Sequence, residues 1–219
     1  MDNPSQDAFD CPGKAAGRPK ANEVEARTQE LLQAAGTLFL KNGYTKTSLE
    51  SIARAAHVAV RTIYVKFGGK AGLLHAVLAA KRDRFFRSQP METDTRPVRA
   101  IVDDFAHQMH ELLQSPEAIE MQRVVVAEAP TNPELADAFW DGGPRMTRDM
   151  LARFFARPDI RAQLRPDAPF DLLPCHLLMC ISGDQFVRFM PQHMMQSAQD
   201  ARRDMERRLE LFYWSVLPA

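Results

Sequence analysis

Apolar residues recur at three- and four-residue intervals along almost the whole chain, and no period-two alternation runs long enough to build a strand. The chain therefore reads as all-α, because only a helix gathers residues so spaced onto one face. Leu31, Ala35, Leu38 and Phe39 mark a first helix over 23–41, and Asn42-Gly43 supplies a left-handed stop. The hydroxyl caps of Thr47-Ser48-Leu49-Glu50-Ser51-Ile52 open a short second helix with Ile52, Ala53 and Ala56 on one face. A turn at His57-Val58-Ala59 leads into a third over 60–67, which carries Ile63 and Phe67 inward and ends at Gly68-Gly69. Lys70 opens a fourth, with Leu73, Leu74, Val77 and Leu78 as its stripe, running to about Ser88. Beyond a linker from Pro90 to Pro97, helices are expected over 98–114, 116–129, 133–140, 144–157, 170–190 and 197–216. Pro116, Pro133 and Pro144 suit first-turn positions, and Pro158, Pro166 and Pro169 mark a loop.

The net charge of zero over 219 residues conceals two unlike parts. Residues 11–88 hold fourteen Lys or Arg against five Asp or Glu, a net +9, whereas residues 89–219 hold fourteen against twenty, a net −6, and the first ten add −3. Such asymmetry suits a part that meets phosphate joined to one that does not, and a merely solvated face has the same look. A content of 45% hydrophobic and 26% charged residues excludes disorder of the whole chain. The longest uncharged membrane-like stretch, Leu172 to Gly183, falls short of the roughly 18 residues that a spanning helix needs. Met1 to Cys11 has neither a basic start nor an apolar run, so no secretory signal is read and a cytoplasmic location is expected. Cys11, Cys175 and Cys180 lack metal-finger spacing and read as free thiols.

The expected organisation is a flexible basic arm over 1–22, a helix-turn-helix unit over 23–88, and a helical body over 89–219. Stepping about 100° per residue around the third helix puts Val60 and Phe67 near Ile63 on the buried side. Arg61 and Val65 then lie opposite the core, flanked by Thr62 and Tyr64. Arg can bridge guanine O6 and N7, Thr or Val can touch a thymine methyl, and Tyr can donate to a phosphate. A solvated helix that happens to carry these residues is the plain alternative. In the arm, Gly17-Arg18-Pro19-Lys20 has the compact basic character of a minor-groove segment, and Arg18 and Lys20 would be its contacts. A flexible tail with chance charge reads the same way.

Gly43-Tyr44, Thr47-Ser48-Leu49, Ile52-Ala53, Thr62-Ile63-Tyr64 through Phe67, Lys70 and Leu73-Leu74 together resemble the TetR family of regulators, over roughly residues 24–84. The resemblance implies a three-helix DNA-binding head on a fourth helix, a helical ligand-binding body, and a homodimer reading a palindromic operator. It implies a repressor released from double-stranded DNA by a small-molecule inducer. By position it points to Thr47, Ser48, Tyr64 and Lys70 as phosphate-backbone contacts and to Arg61 and Thr62 as base readers; Val60, Val65 and Lys66 of the third helix are the remaining candidate DNA contacts. The family often has Gly where this chain has His57, Ser where it has Ala59, and a polar or aromatic residue where it has Val65.

The body segment from Arg123 through Glu128 and Pro130, then Pro133 to Trp140, is similar to AefR-like members of the family. Phe105, Met109, Leu112, Met121, Val124, Val125, Phe139, Trp140, Met150 and Phe154 are candidate ligand-lining residues. A Met and aromatic stripe is also what an ordinary core looks like. Arg123 and Gln185 could orient a polar group of the ligand or lie at the surface. Leu177, Leu178, Ile181, Phe186, Val187 and Phe189 of one helix, with Met205, Leu209, Phe212, Tyr213, Trp214 and Leu217 of the last, are the expected dimer surface. No cofactor and no metal is expected. Two rivals stand: a helical enzyme that binds a small molecule, for which His107-x-x-His110 is the one metal-like pair, and an architectural DNA-binding protein without sequence preference.

Overall fold

The computed structural model describes residues 21–85, 91–185, 187, 190, 192–194 and 196–218. Their regular structure is helical: α1 (Ala21–Asn42), α2 (Leu49–Ala55), α3 (Val60–Phe67), α4 (Lys70–Phe85), α5 (Val98–Gln114), α6 (Pro116–Glu128), α7 (Pro133–Gly142), α8 (Pro144–Ala156), α9 (Pro158–Arg161), α10 (Leu173–Ser182) and α11 (Ala198–Val216). No helix among these residues is long and apolar enough to cross a membrane. The starts are set by short polar caps. Ser48, Ser115, Asn132 and Ser197 accept from the backbone N–H three residues on, at 3.2, 3.3, 3.3 and 3.1 Å. Pro116 and Pro133 follow two of these caps, where a missing N–H removes nothing from the helix ladder.

Two hydrophobic clusters hold the chain together. One gathers Leu31, Phe39, Tyr44, Ile52, Ile63, Leu73 and Leu74 from α1 to α4, and takes in Met121 and Val124 of α6 and Leu135 and Ala138 of α7. The other fills the body with Val102, Phe105, Met109, Leu151, Phe154, Phe155, Leu177, Ile181, Met205, Leu209 and Phe212. The front four helices are thus seated directly on α6 and α7. At that seat a Cβ on Gly142 would lie 3.0 Å from the His75 carbonyl oxygen, so a side chain there would push α7 and α4 apart by a few tenths of an ångström. Arg157 fastens the crossing into the body, donating to the Met91 and Asp94 carbonyls at 2.6 and 2.7 Å.

Three expectations change. The helix expected over 170–190 ends at Ser182, where Gly183 turns with φ 60°. The loop expected after Pro158 contains the one-turn α9, whose Ile160 is fully buried. The largest correction concerns the dimer surface: Leu177, Ile181, Met205, Leu209, Phe212 and Tyr213 are closed inside the body's own core, and Leu178 and Leu217 pack against it. An apolar stripe cannot face a partner when helices of its own chain already cover it. What α10 with its N-cap and α11 expose instead is Leu172, Met179, Leu211 and Trp214, the last at 75%. Phe186 and Phe189 lie outside the described residues.

Candidate nucleic-acid interface

α2 and α3 are each about two turns long, too short to be stable alone, so burial must hold them. Leu49, Ile52 and Ala53 of α2 and Ile63 of α3 sink into the front cluster. The turn between them is closed by Val58 N–H to the Ala53 carbonyl at 2.9 Å, with His57 at φ 53°. A side chain in this left-handed region is strained by roughly 1 kcal/mol. α3 begins at Ala59, which offers no side-chain cap, and ends at a left-handed Gly68 whose N–H bonds the Tyr64 carbonyl at 2.9 Å.

With Ile63 fixed inside, Arg61, Thr62, Tyr64, Val65 and Lys66 are exposed, Tyr64 at 57% and Val65 at 77%, and Val60 is half-buried. Ser48 is exposed at the start of α2. Arg27, Lys41, Lys46 and Arg54 are exposed on the same front helices and the turn after α1. None of the ion pairs among the described residues involves a residue before Lys81, so these cations face solvent rather than carboxylates. The arrangement is a polar, cationic helix face that protrudes from a small apolar core.

Two expected contacts are corrected. The Thr47 side chain is buried, its hydroxyl turned to the Leu38 and Gly43 carbonyl oxygens at 3.1 and 2.7 Å, so it fastens the α1–α2 turn and offers nothing outward. The Lys70 ammonium donates to the Tyr44 and Thr47 carbonyls at 3.0 and 3.2 Å and sits 4.4 Å from the Tyr44 ring centroid. It pins α4 to the same turn. Lys66 leans back, its ammonium against the Thr28 hydroxyl of α1. Arg18 and Lys20 lie outside the described residues.

The twelve expected ligand-lining residues fall in separate regions of the described structure. Phe105, Met109 and Phe154, with Leu112 and Met150 against them, are core of the body. Met121, Val124, Val125 and Phe139 belong to the seam with the front helices. Trp140 is partly exposed with Arg148 over its ring at 4.6 Å, Arg123 donates to the Met190 carbonyl at 3.3 Å, and exposed Gln185 donates to Ser182 at 3.0 Å. A cavity of only about 10 Å³ touches Phe105. An open groove of about 410 Å³ runs between α4 and α7, lined by residues that include His75, Glu134, Asp137 and Asp141. His107 bonds Glu206 at 3.1 Å while His110 is buried, so the two histidines do not converge.

One residue with a role escaped the sequence reading. Glu128, the last residue of α6, accepts from the backbone N–H of Tyr44 at 3.2 Å and of Thr45 at 2.7 Å, and from the Thr45 hydroxyl at 2.6 Å. Burial pushes its carboxyl up, but these three donors and the nearby Lys70 charge outweigh that and hold it below the ordinary carboxylate value. Beside it the Tyr44 phenol is buried without a hydrogen-bond partner among the described residues, and burial, then the Glu134 charge, raise it to about 12. A carboxylate at the C-terminal end of a helix, where the macrodipole disfavours it, was the available signal.

Two short helices, one tight turn and an outward polar row on the second helix define a helix-turn-helix protein with a helical body. Known proteins agree with that class. The family model described as bacterial regulatory proteins, tetR family, matches residues 31–77, and the one described as AefR-like transcriptional repressor, C-terminal domain, matches residues 100–213. The chain belongs to the tetR family of regulators, with an AefR-like C-terminal domain. HTH-type transcriptional regulator SrpR of Pseudomonas putida is 36% identical over 80 residues, which are 36% of this chain and 35% of that protein. The match thus spans about a third of that relative's length. A tetR-family transcriptional regulator from Mesorhizobium loti superposes with a TM-score of 0.68 at 21% identity, over 89% of this chain and 98% of that one. The SmeT–triclosan complex superposes at 0.63 with 23% identity, over 88% and 92%. These two likenesses concern the fold.

Proposed function

We propose that this chain is a DNA-binding transcriptional repressor that a small-molecule inducer releases from a palindromic operator. The observation that carries the reading is the outward row Arg61, Thr62, Tyr64 and Val65 on a helix anchored by fully buried Ile63. Arg61 and Thr62 read base edges, Val65 meets a thymine methyl, and Tyr64 and Ser48 contact phosphate. Arg18 and Lys20 add minor-groove contacts, and the unit over 23–88 acts as the head of a body over 89–219. The protein works as a homodimer through α10 and α11, its contact surface being Leu172, Met179, Leu211 and Trp214. The exposure of these four side chains supports this.

The inducer enters the body cluster around Phe105, Met109, Leu112, Met150 and Phe154. These five side chains pack against one another and their neighbours in the body core, so binding opens this packing. That SmeT is found in complex with triclosan supports a small organic inducer. Two recognition helices held about 34 Å apart meet successive major grooves, and an inducer that prefers another spacing weakens the grip by that preference alone.

The test is selection of duplexes from a random-sequence library by the purified protein, followed by the Arg61→Ala variant on the winning duplex. Loss of about 2 kcal/mol of affinity, with relaxed preference at one position of each half-site, is expected. Equal capture of every duplex, or an Arg61→Ala variant that binds like the parent, refutes the reading.

A further inference from the structure

Glu128 touches the head from the body at the one turn that sets the pose of α2. Its carboxylate takes the two backbone N–H groups of Tyr44 and Thr45 and the Thr45 hydroxyl, at 3.2, 2.7 and 2.6 Å. Gly43 makes room: with φ 81° it adopts a conformation that side chains resist, and a Cβ there would stand 2.4 Å from Glu128 Oε1. The carbonyl side of the same turn is held by Lys70 of α4, at 3.0 Å from Tyr44 and 3.2 Å from Thr47. The donors of the turn are therefore gripped by α6 and its acceptors by α4. Thr47 locks the turn to α1, and the next residue, Ser48, is the N-cap of α2. A displacement of the turn must carry α2, and with it α3.

α6 is built to deliver such a displacement. Its start is capped by Ser115 against the end of α5, its middle buries Met121 and Val124 in the seam, and Arg123 reaches the Met190 carbonyl. Its end is fixed at Glu128 by the tight turn Ala129–Thr131 that holds Pro130. A slide of α6 by one residue's rise, about 1.5 Å, that draws Glu128 directly away from the turn stretches the clasp bonds beyond hydrogen-bonding range. Nor is Glu128 a DNA contact, since an anion beside phosphate is repelled.

We propose that Glu128 is a positioning residue that couples the body to the DNA-binding unit: its carboxylate clasps the α1–α2 turn from α6 and holds α2 and α3 in the pose that grips DNA. This rests on the reading of α2–α3 as the DNA-binding unit, and it adds a polar link beside the covalent path through α4 and the apolar seam on α6 and α7. An inducer that shifts α6 releases the clasp and so the grip.

The test uses the full-length protein with two readouts, and Glu128→Gln as the main variant. Amide hydrogen exchange in the absence of DNA is expected to speed at least about tenfold at Tyr44 and Thr45, and to rise along α2, with body helices such as α8 unchanged. Affinity for the tightest duplex selected by the parent protein is expected to fall about tenfold. The sign is informative, because removing a negative charge tightens binding to a polyanion if electrostatics alone operate. Asp137→Asn, which neutralises an exposed acid of α7 outside the clasp, should bind equally or tighter. Thr45→Ala removes one clasp bond of three and should show a smaller fall.

Unaltered exchange at Tyr44 and Thr45 overturns the clasp. Faster exchange with affinity unchanged or improved leaves it a structural bond and overturns the coupling. The Arg61→Ala variant separates the two proposals: it should lose DNA while exchange at the turn stays at the parent rate. If it binds like the parent, the functional reading fails on its own, and the exchange result still judges the clasp.

Discussion

α3 and α11 are both amphipathic helices near a surface, and their sequences were not equally informative. α3 has eight residues and one fully buried side chain, Ile63, so its other faces have little choice but to point outward. α11 has nineteen residues and two apolar surfaces. Met205, Leu209, Phe212, Tyr213 and Val216 turn into the body, and Leu211 and Trp214 turn out. Periodicity names the stripes of a long helix, but which stripe a neighbour covers depends on elements far away in the chain. Phe212 meets His176, whose ring stacks on it at 5.4 Å, and Phe155 at 6.4 Å.

The sharpest way to break this contrast is to place a charge on each surface of α11 in turn. Phe212→Asp buries an unpaired carboxylate in the core, and a loss of about 4 kcal/mol or outright unfolding is expected in thermal or denaturant melts. Trp214→Glu should leave far-UV helicity and the melt of the body intact while sedimentation shows monomers, with DNA binding lost in step. A Phe212→Asp protein that stays folded, or a Trp214→Glu protein that remains dimeric, reverses the assignment of the two surfaces.

On α3 the same comparison is sharpened by strengthening what is already there. Ala59→Ser supplies the side-chain cap that the helix start lacks and should add about 1 kcal/mol to stability without altering the exposed row. A melt that moves down, or DNA preference that changes, would mean that the N-terminus of α3 is arranged otherwise.

The smallest effect is one of acid. Glu128 has its folded pKa depressed, so its contribution is full above the ordinary carboxylate value of 4.5 and is lost as pH falls through the lower folded value. The groups that set the shift are the Tyr44 and Thr45 donors and the Lys70 ammonium from α4. Stability of the parent should therefore decline more steeply than that of Glu128→Gln over this window. Parallel curves in paired melts would remove the charge from the clasp.

Much of the helix plan was legible because its signals are local. Asn132 followed by Pro133, and Ser115 followed by Pro116, announce α7 and α6 from a single turn of sequence. His57 and Ala59 were visible as departures from the family, and the first is a residue held at positive φ. α10 was overrun because apolar residues continue past Gly183, and a pattern of apolar spacing does not register one left-handed residue. The candidate lining of the body was the least legible part. Met121 and Phe105 look alike in sequence, yet one packs under the front helices and the other in the body. Glu128 was hidden for a related reason: its partners lie more than eighty residues earlier in the chain.

By itself the sequence determined where the capped helices start and which side of α3 is polar, since caps, prolines and periodicity act within a turn or two. Tertiary structure alone decided which stripe of α11 is core, that Thr47 and Lys70 hold a turn rather than reach outward, and that α6 grips the front helices through one carboxylate. Burial and hydrogen-bond partnership belong to pairs of distant segments, and no residue carries them on its own.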